Sequence, residues 1–233
     1  MITSLNNERI KEIIKLRNSK DRNASGLFIV EGPHLVSEAK DAGLLLESFT
    51  TDERYDGILV SEAVMKKMSS TVNPIKAIGL CKMPKKREVT NKILILDRVS
   101  DPTNLGTILR SAKAFGFDTI FASDGCVDYY NDKVIRGSQG AIFKLNLLSG
   151  DIFNFIFELK KTHKIYGTNV RNGIDVKTVQ SKDNLAIILG NEAKGMREEL
   201  NDLVDENIYI KLSNMESLNV SVAASILMYE IAK

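Results

Sequence analysis

Residues 92–97, KILILD, set four apolar residues in succession between charged ends. A run of this kind, without polar alternation, reads as a strand buried on both faces. Such a strand needs cover above and below, and the chain supplies it. After KILILD come a helical pattern in NLGTILRSAKAFG, the strand DTIFAS and a helix near NDKVIRGSQG. A short strand, AIFKLNLL, and the helix DIFNFIFELKKTH follow. KIYGTN, LAIILG and IYIKL read as further strands, and in SLNVSVAASILMYE the residues Val220, Ala223, Ala224, Leu227 and Met228 recur at helical spacing. Strands alternating with helices give an α/β fold with a parallel sheet covered on both faces. Ligands of such sheets bind at the carboxyl ends of the strands.

The first third reads as a separate, smaller α/β unit. LFIVEG, GILVS and IKAIGLCK are strands; PHLVSEAKDAG and EAVMKKMSS are helices. The unit ends at KMPKKREVT (82–90), a basic, proline-containing stretch. The expected boundaries are therefore 1–84, a linker over 85–91, and 92–233. RIKEIIKLRNSKDR (9–22) reads as one helix in which Ile10, Ile13 and Ile14 face a core while Arg9, Lys11, Lys15, Arg17, Lys20 and Arg22 form a basic rim. A solvated helix face and a phosphate-binding edge both account for that rim.

Bulk properties exclude several classes. At 233 residues and 43% hydrophobic the chain can build one large or two small cores, and a net charge of +2 does not by itself mark a nucleic-acid binder. It has no apolar run of membrane-spanning length and no apolar signal segment at its start, so no membrane association is expected. Cys81 and Cys126 stand alone, which suits a reducing cytoplasm, and neither they nor His34 and His163 sit in metal-ligand spacing; no metal site is expected.

Three strand ends run into loops rich in small and polar residues. RVSDPTNLGTILR carries Asn104, Gly106 and Arg110; GNEAKG carries Gly190, Asn191, Glu192 and Gly195; SNMESLN carries Ser217 and Asn219. Each has a bland reading alone, as a helix cap or a tight turn. The last is over-supplied, since one capping residue satisfies a helix N-terminus. Neither a phosphate loop nor a GxGxxG fingerprint is present, so the two commonest nucleotide signatures are absent from a sheet suited to a nucleotide.

In this order, NLGTILRSAKAFG, LAIILGNEAKGM and IYIKLSNMESLNVSVAASILMYE resemble the three motifs of the SpoU (TrmH-like) RNA ribose 2'-O-methyltransferases of the SPOUT superfamily. VIRGSQGAIFKL resembles the family's segment between motifs one and two, and SLNNERIKEIIKLRNSKDRNASGLFIVEG its ribosomal-protein-like RNA-binding domain. Ala193 stands where members commonly show Gly, and Lys211-Leu212 where they show Pro-Met; neither change removes a functional side chain.

The resemblance implies a small N-terminal RNA-binding domain and a C-terminal α/β-knot domain with a deep trefoil knot, a topology that no pattern argument would propose. It implies S-adenosylmethionine (AdoMet) held by Thr168, Leu189, Gly190, Asn191, Glu192, Ile210, Leu212, Ser217, Leu218 and Asn219. Arg110 occupies the position of the family's proposed base, with Asn104, Glu192 and Asn219 beside it as orienting or catalytic groups. Deprotonating a guanidinium of pKa about 12.5 at pH 7 costs roughly 7 kcal/mol, so a phosphate clamp is physically easier. Glu192 is expected to pair with Arg110 or to receive hydrogen bonds. RNA contacts are expected from Arg9, Lys15, Arg17, Lys20, Arg22 and Arg136, and a homodimer through the knot domain is implied. A separate binding domain favours structured ribosomal RNA over transfer RNA. The rival readings are a non-catalytic RNA-binding or ribosome-assembly protein and a base-modifying enzyme of the same knotted class.

Overall fold

The computed structural model describes residues 1–169, 173–179 and 184–233. In chain order the elements of the first part are α1 (Glu8–Lys15), α2 (Ser19–Ser25), β1 (Leu27–Glu31), α3 (Pro33–Asp41), β2 (Leu45–Thr50), β3 (Ile58–Leu59), α4 (Glu62–Met68) and β4 (Ala77–Lys82). The second part has β5 (Lys92–Leu96), α5 (Pro102–Ala114), β6 (Thr119–Ser123), α6 (Asp132–Ser138), β7 (Asn146–Gly150) and α7 (Ile152–Leu159). It continues with β8 (Lys164–Thr168), β9 (Ile174–Asp175), β10 (Leu185–Leu189), β11 (Glu206–Tyr209) and α8 (Val220–Ala232).

The chain divides into two compact units, one of residues 1–85 with 128–143, the other of 86–127 with 144–233. The division is not a single cut in the chain, because α6 and its flanks belong with the first unit. The reason is local chemistry: Phe28 on β1, fully buried, packs its ring against Tyr130 and Phe143, and buried Arg22 pairs with Asp128. Part of the stretch read as the strand AIFKLNLL accordingly belongs here, as a single helical turn over Ala141–Phe143, and the strand itself starts only at Asn146.

The sheet of this unit has the order β1-β4-β2-β3, antiparallel except for β2 with β3. Its core gathers Ile10 and Ile13 from α1 with Phe49, Val64, Met68 and Ile78. The helix expected over 9–22 is two helices. Asn18 accepts from the Lys20 N–H and starts α2, so α1 ends at Lys15 and the basic residues are divided between two axes.

The second unit is built on a parallel sheet ordered β7-β6-β5-β10-β8-β11-β9. Ile93–Leu96 are fully buried in β5. Ile93 and Ile95 pack with Ile156 and Leu159 of α7 on one face, and the alternating Leu94 and Leu96 point to the other. From β5 the chain moves outward through β6 to β7, then returns to build β8, β10 and β11 on the opposite side of β5. The reversal makes the boundary between β5 and β10 a topological switch point, where a crevice opens at the carboxyl ends of the strands. α8 closes one flank, burying Ala224, Leu227, Met228 and Ile231.

Replacing Asp128 with Ala leaves the Arg22 guanidinium buried without its carboxylate. A loss of about 2–3 kcal/mol in unfolding free energy is expected, from thermal or urea denaturation. An unchanged midpoint would show that the two backbone carbonyls accepting from Arg22, those of Leu16 and Arg17, suffice.

Candidate active site

The loops after β5, β10 and β11 meet at the switch point. Each is shaped by local hydrogen bonding. Asp101 caps α5, its Oδ1 accepting from the N–H groups of Thr103 (2.7 Å) and Asn104 (2.9 Å) with Pro102 in the first turn. The Asn104 side chain is thereby released from capping. The loop after β10 doubles back on itself through paired backbone bonds between Asn191 and Gly195. A Cβ at Gly190 would lie 2.0 Å from the Met196 nitrogen, so the fold requires glycine there.

The loop is clamped at its exit. Asp97, fully buried at the end of β5, accepts from the Arg197 backbone N–H (2.9 Å) and from its guanidinium (2.8 Å). At the other side Asn191 Nδ2 donates to the Arg98 carbonyl at 2.8 Å, while Asn191 Oδ1 accepts from Ala193 and Lys194. Arg98 takes a left-handed conformation, φ +59°, and its N–H donates to Ser123 Oγ.

Two cavities lie against this loop and share Asn191, Glu192 and Ala193 as a common wall. The first, about 430 Å³, has the apolar side chains of Leu189, Ile210, Leu212 and Leu218 in its lining, with Thr168, Asn169, Lys194, Tyr209 and Ser217 among its polar groups. Val220, Ala223 and Leu227 of α8 reach it too, so part of the helix stripe faces a cavity and the rest the core. The second, about 460 Å³, is polar: Ser100, Asp101, Thr103, Asn104 and Asn219 surround the shared wall.

Glu192 gathers five donors. Oε1 accepts from Asn104 Nδ2 (3.1 Å) and the Asp101 N–H (3.2 Å). Oε2 accepts from Asn191 Nδ2 (3.1 Å) and from the Ser100 N–H and hydroxyl (3.4 Å each). Partial burial pushes its carboxyl up, but the hydrogen bonds from Asn104, its own backbone, Asp101 and Ser100 outweigh that and hold it below the ordinary range. It is an ionised anchor with its lone pairs occupied, a poor general base.

Nine of the ten residues expected around AdoMet line the first cavity. Asn219 is the exception; it caps α8 and faces the polar cavity. Arg110 lies in neither. It is exposed on α5 with no hydrogen bond or ion pair to another described residue; of the two roles expected for Glu192, pairing with Arg110 or receiving hydrogen bonds, the structure shows the second. Seven residues beyond Thr103 it returns to the same helix face, about 10 Å further along the axis.

The expected RNA-contact arginines are largely committed within the first unit. Arg22 is buried; Arg17 bonds Glu31 and the Met68 carbonyl; Arg136 bonds Ser70 Oγ and pairs with Asp132. Arg9 is tied to Glu12 and Glu47. Lys15 and Lys20 are exposed. Among the described residues no cluster of His, Cys, Asp and Glu could hold a metal ion. Sequence reasoning missed the Asp97–Arg197 clamp and the contribution of Ser100, Asp101 and Thr103. The only signal for these three was their place in the loop after KILILD.

Glu192→Gln is expected to lower stability at neutral pH by about 1 kcal/mol, a modest figure because the group is solvent-facing. A carboxyl held below the ordinary 4.5 stabilises fully above that value, and the contribution is lost as pH falls through the lowered one. Thermal melts of both proteins from about pH 7 to pH 3 should therefore converge on acidification. Curves that stay apart would contradict the ionised-anchor role.

Residues 91–229 match the model of the SpoU rRNA Methylase family, and residues 7–79 the MRM3-like substrate binding domain. The 23S rRNA (guanosine(2553)-2'-O)-methyltransferase RlmP of Bacillus subtilis (strain 168) is 35% identical to this chain, the alignment covering 99% of it and 98% of the relative. A crystal structure of an RNA 2'-O ribose methyltransferase is similar at TM-score 0.82 and 30% identity, covering 98% of this chain and 96% of its own. The AdoMet-bound rRNA methyltransferase from Sinorhizobium meliloti is similar at TM-score 0.86 and 25% identity, covering 98% and 95%.

Proposed function

This chain belongs to the SpoU rRNA methylase family, and from that membership we propose how its two cavities divide the work. The protein is an AdoMet-dependent RNA 2'-O-methyltransferase. The observation that carries the division is the shared wall of Asn191, Glu192 and Ala193, which separates the first cavity from the polar one.

AdoMet fits the first cavity. About 430 Å³ lies within the usual range for small-molecule sites, and apolar side chains share the lining with polar groups, as such sites require. Leu189, Ile210, Leu212 and Leu218 would hold the purine, with Thr168, Ser217 and the backbone of the doubled-back loop for the polar parts. When bound, AdoMet supplies a methyl group on a sulfonium, an electrophile that needs no metal. The ribose takes the polar cavity, where Asn104 and Asn219 orient its hydroxyl and the wall holds the two reactants at a fixed separation. Glu192 does not take the proton, being already saturated with donors; the proton leaves to water. Arg110, beyond Thr103 on the same face of α5, clamps a flanking phosphate.

The substrate is ribosomal rather than transfer RNA, a reading supported by the name of the Bacillus subtilis relative and by the match to a substrate-binding domain over 7–79. RNA binding is assigned to the first unit, in which residues 128–143 join the expected 1–84 domain, with Lys15 and Lys20 among its exposed cations; 85–91 is the linker, and catalysis is assigned to the rest of 92–233. The trefoil knot is part of the same proposal; a parallel sheet with its switch point beside β10 supports it. So is a homodimer through that domain, for which Val222 and Tyr229, about half exposed on α8, and the ring of Phe115 against Tyr229 offer an apolar surface. The protein is placed in the cytoplasm, where its substrate is.

Incubation with labelled AdoMet and unmodified ribosomal or transfer RNA is expected to yield 2'-O-methylated ribosomal RNA. Arg110→Ala should lower turnover by about 100-fold or more with AdoMet affinity kept within about twofold. Gly190→Ala should instead abolish AdoMet binding measured by calorimetry, because the loop cannot close around a Cβ. Label in transfer RNA alone would reverse the substrate assignment; undiminished turnover by the Arg110 variant would remove Arg110 from the mechanism.

A further inference from the structure

Glu192, Asn104, Asn219 and Ser221 form a hydrogen-bond chain with a single polarity. An ionised carboxylate accepts only, so Asn104 must turn Nδ2 toward Glu192 (3.1 Å). Asn104 Oδ1 then faces Asn219, which must present its own Nδ2 (3.0 Å). Asn219 Oδ1 is left needing donors, and Ser221 supplies two: its backbone N–H at 2.9 Å and its hydroxyl at 2.7 Å. Neither amide can flip. Reversing Asn104 would set a carbonyl against a carboxylate, and reversing Asn219 would set an NH₂ against the Ser221 N–H.

The polarity has a consequence for the polar cavity. Each amide has two N–H groups and spends one on the chain. Asn104 and Asn219 both line that cavity, and the carbonyl oxygens of both are turned away into the chain. The Ser100 and Asp101 N–H groups are already consumed by Glu192. What the two amides can offer an occupant is therefore N–H alone.

We propose that Ser221 is a positioning residue which, through this one-way chain, fixes Asn104 and Asn219 as a pair of donors for negative charge on the ribose oxygen. The inference rests on the ribose occupying the polar cavity. As the 2'-hydroxyl gives up its proton to water, charge grows on its oxygen, and fixed donors stabilise it without reorganising at the moment of reaction. Ser221 is 7% exposed at the start of α8 and touches neither cavity; it acts only through Asn219. Ser225, one turn on, serves as the internal control. Its hydroxyl bonds the Ser221 carbonyl and Ser111 along the α5–α8 seam but has no part in the chain.

The test is steady-state methyl transfer to ribosomal RNA by wild type, Ser221→Ala, Ser225→Ala and Asn219→Asp, with melting temperature and AdoMet affinity measured on each. Asp caps a helix as well as Asn does, so Asn219→Asp keeps the cap while replacing the donor with a charged acceptor facing Asn104 Oδ1. It is expected to lose about 100-fold in kcat with its melting temperature preserved. Ser221→Ala should lose about tenfold in kcat with KM for AdoMet within twofold, and Ser225→Ala should stay within twofold of wild type. Equal kcat for the two serine variants, or an Asn219→Asp enzyme as fast as wild type, overturns the proposal while leaving the methyltransferase reading intact. A wild type that transfers no methyl group overturns both.

Discussion

The Asp97 carboxylate is the constraint on which the site depends. It is fully buried at the end of the central strand β5 and accepts from the Arg197 backbone and guanidinium. A charge so placed is costly unless it is paired and hydrogen-bonded, and a charge-assisted, multiply bonded partner offsets that cost. The consequence is geometric. Residue 197 is pinned beside β5 while Leu189, whose carbonyl accepts from the Asp97 N–H, is pinned by sheet pairing. The seven residues between them have to fold back, and a glycine at 190 is what lets them pass.

That doubled-back loop makes one wall serve two cavities lined by different side chains. Wall residues that hold their shape before anything binds contribute more to a displacement reaction than residues that must be ordered by it. Glu192 illustrates the principle from the acid side. Five donors converge on it, so its task is to tie the loop after β5 to the loop after β10, and Asn104 and Asn219 extend the tie to α8.

The first unit follows a different logic. Its stability draws on residues 128–143, which the chain reaches only after β5, α5 and β6. The guanidiniums of Arg17, Arg22 and Arg136 bind this segment to the preceding elements, so a basic sequence here reports internal ion pairing. Of the cations read from 9–22, Lys15 and Lys20 stay exposed with their ammonium groups in water.

The sequence by itself determined the fold class, since the unbroken ILIL of β5 cannot be satisfied except between two covered faces. The three polar loops at strand ends are local features that read directly, whereas the individual residues around the cavity came from the resemblance to the family's motifs. Residue identities carried the family as well, through three motifs whose order and spacing are preserved in the chain. What it could not determine were relations between residues far apart in number. The break of the 9–22 helix at Asn18 turns on which side chain wins a local cap. Placement of 128–143 in the first unit turns on an Arg–Asp pair 106 residues apart. Glu192 is tied not to Arg110 but to Asn104, Asp101, Asn191 and Ser100. Each is a choice of partner among several, and such a choice is settled only by distance in the folded chain.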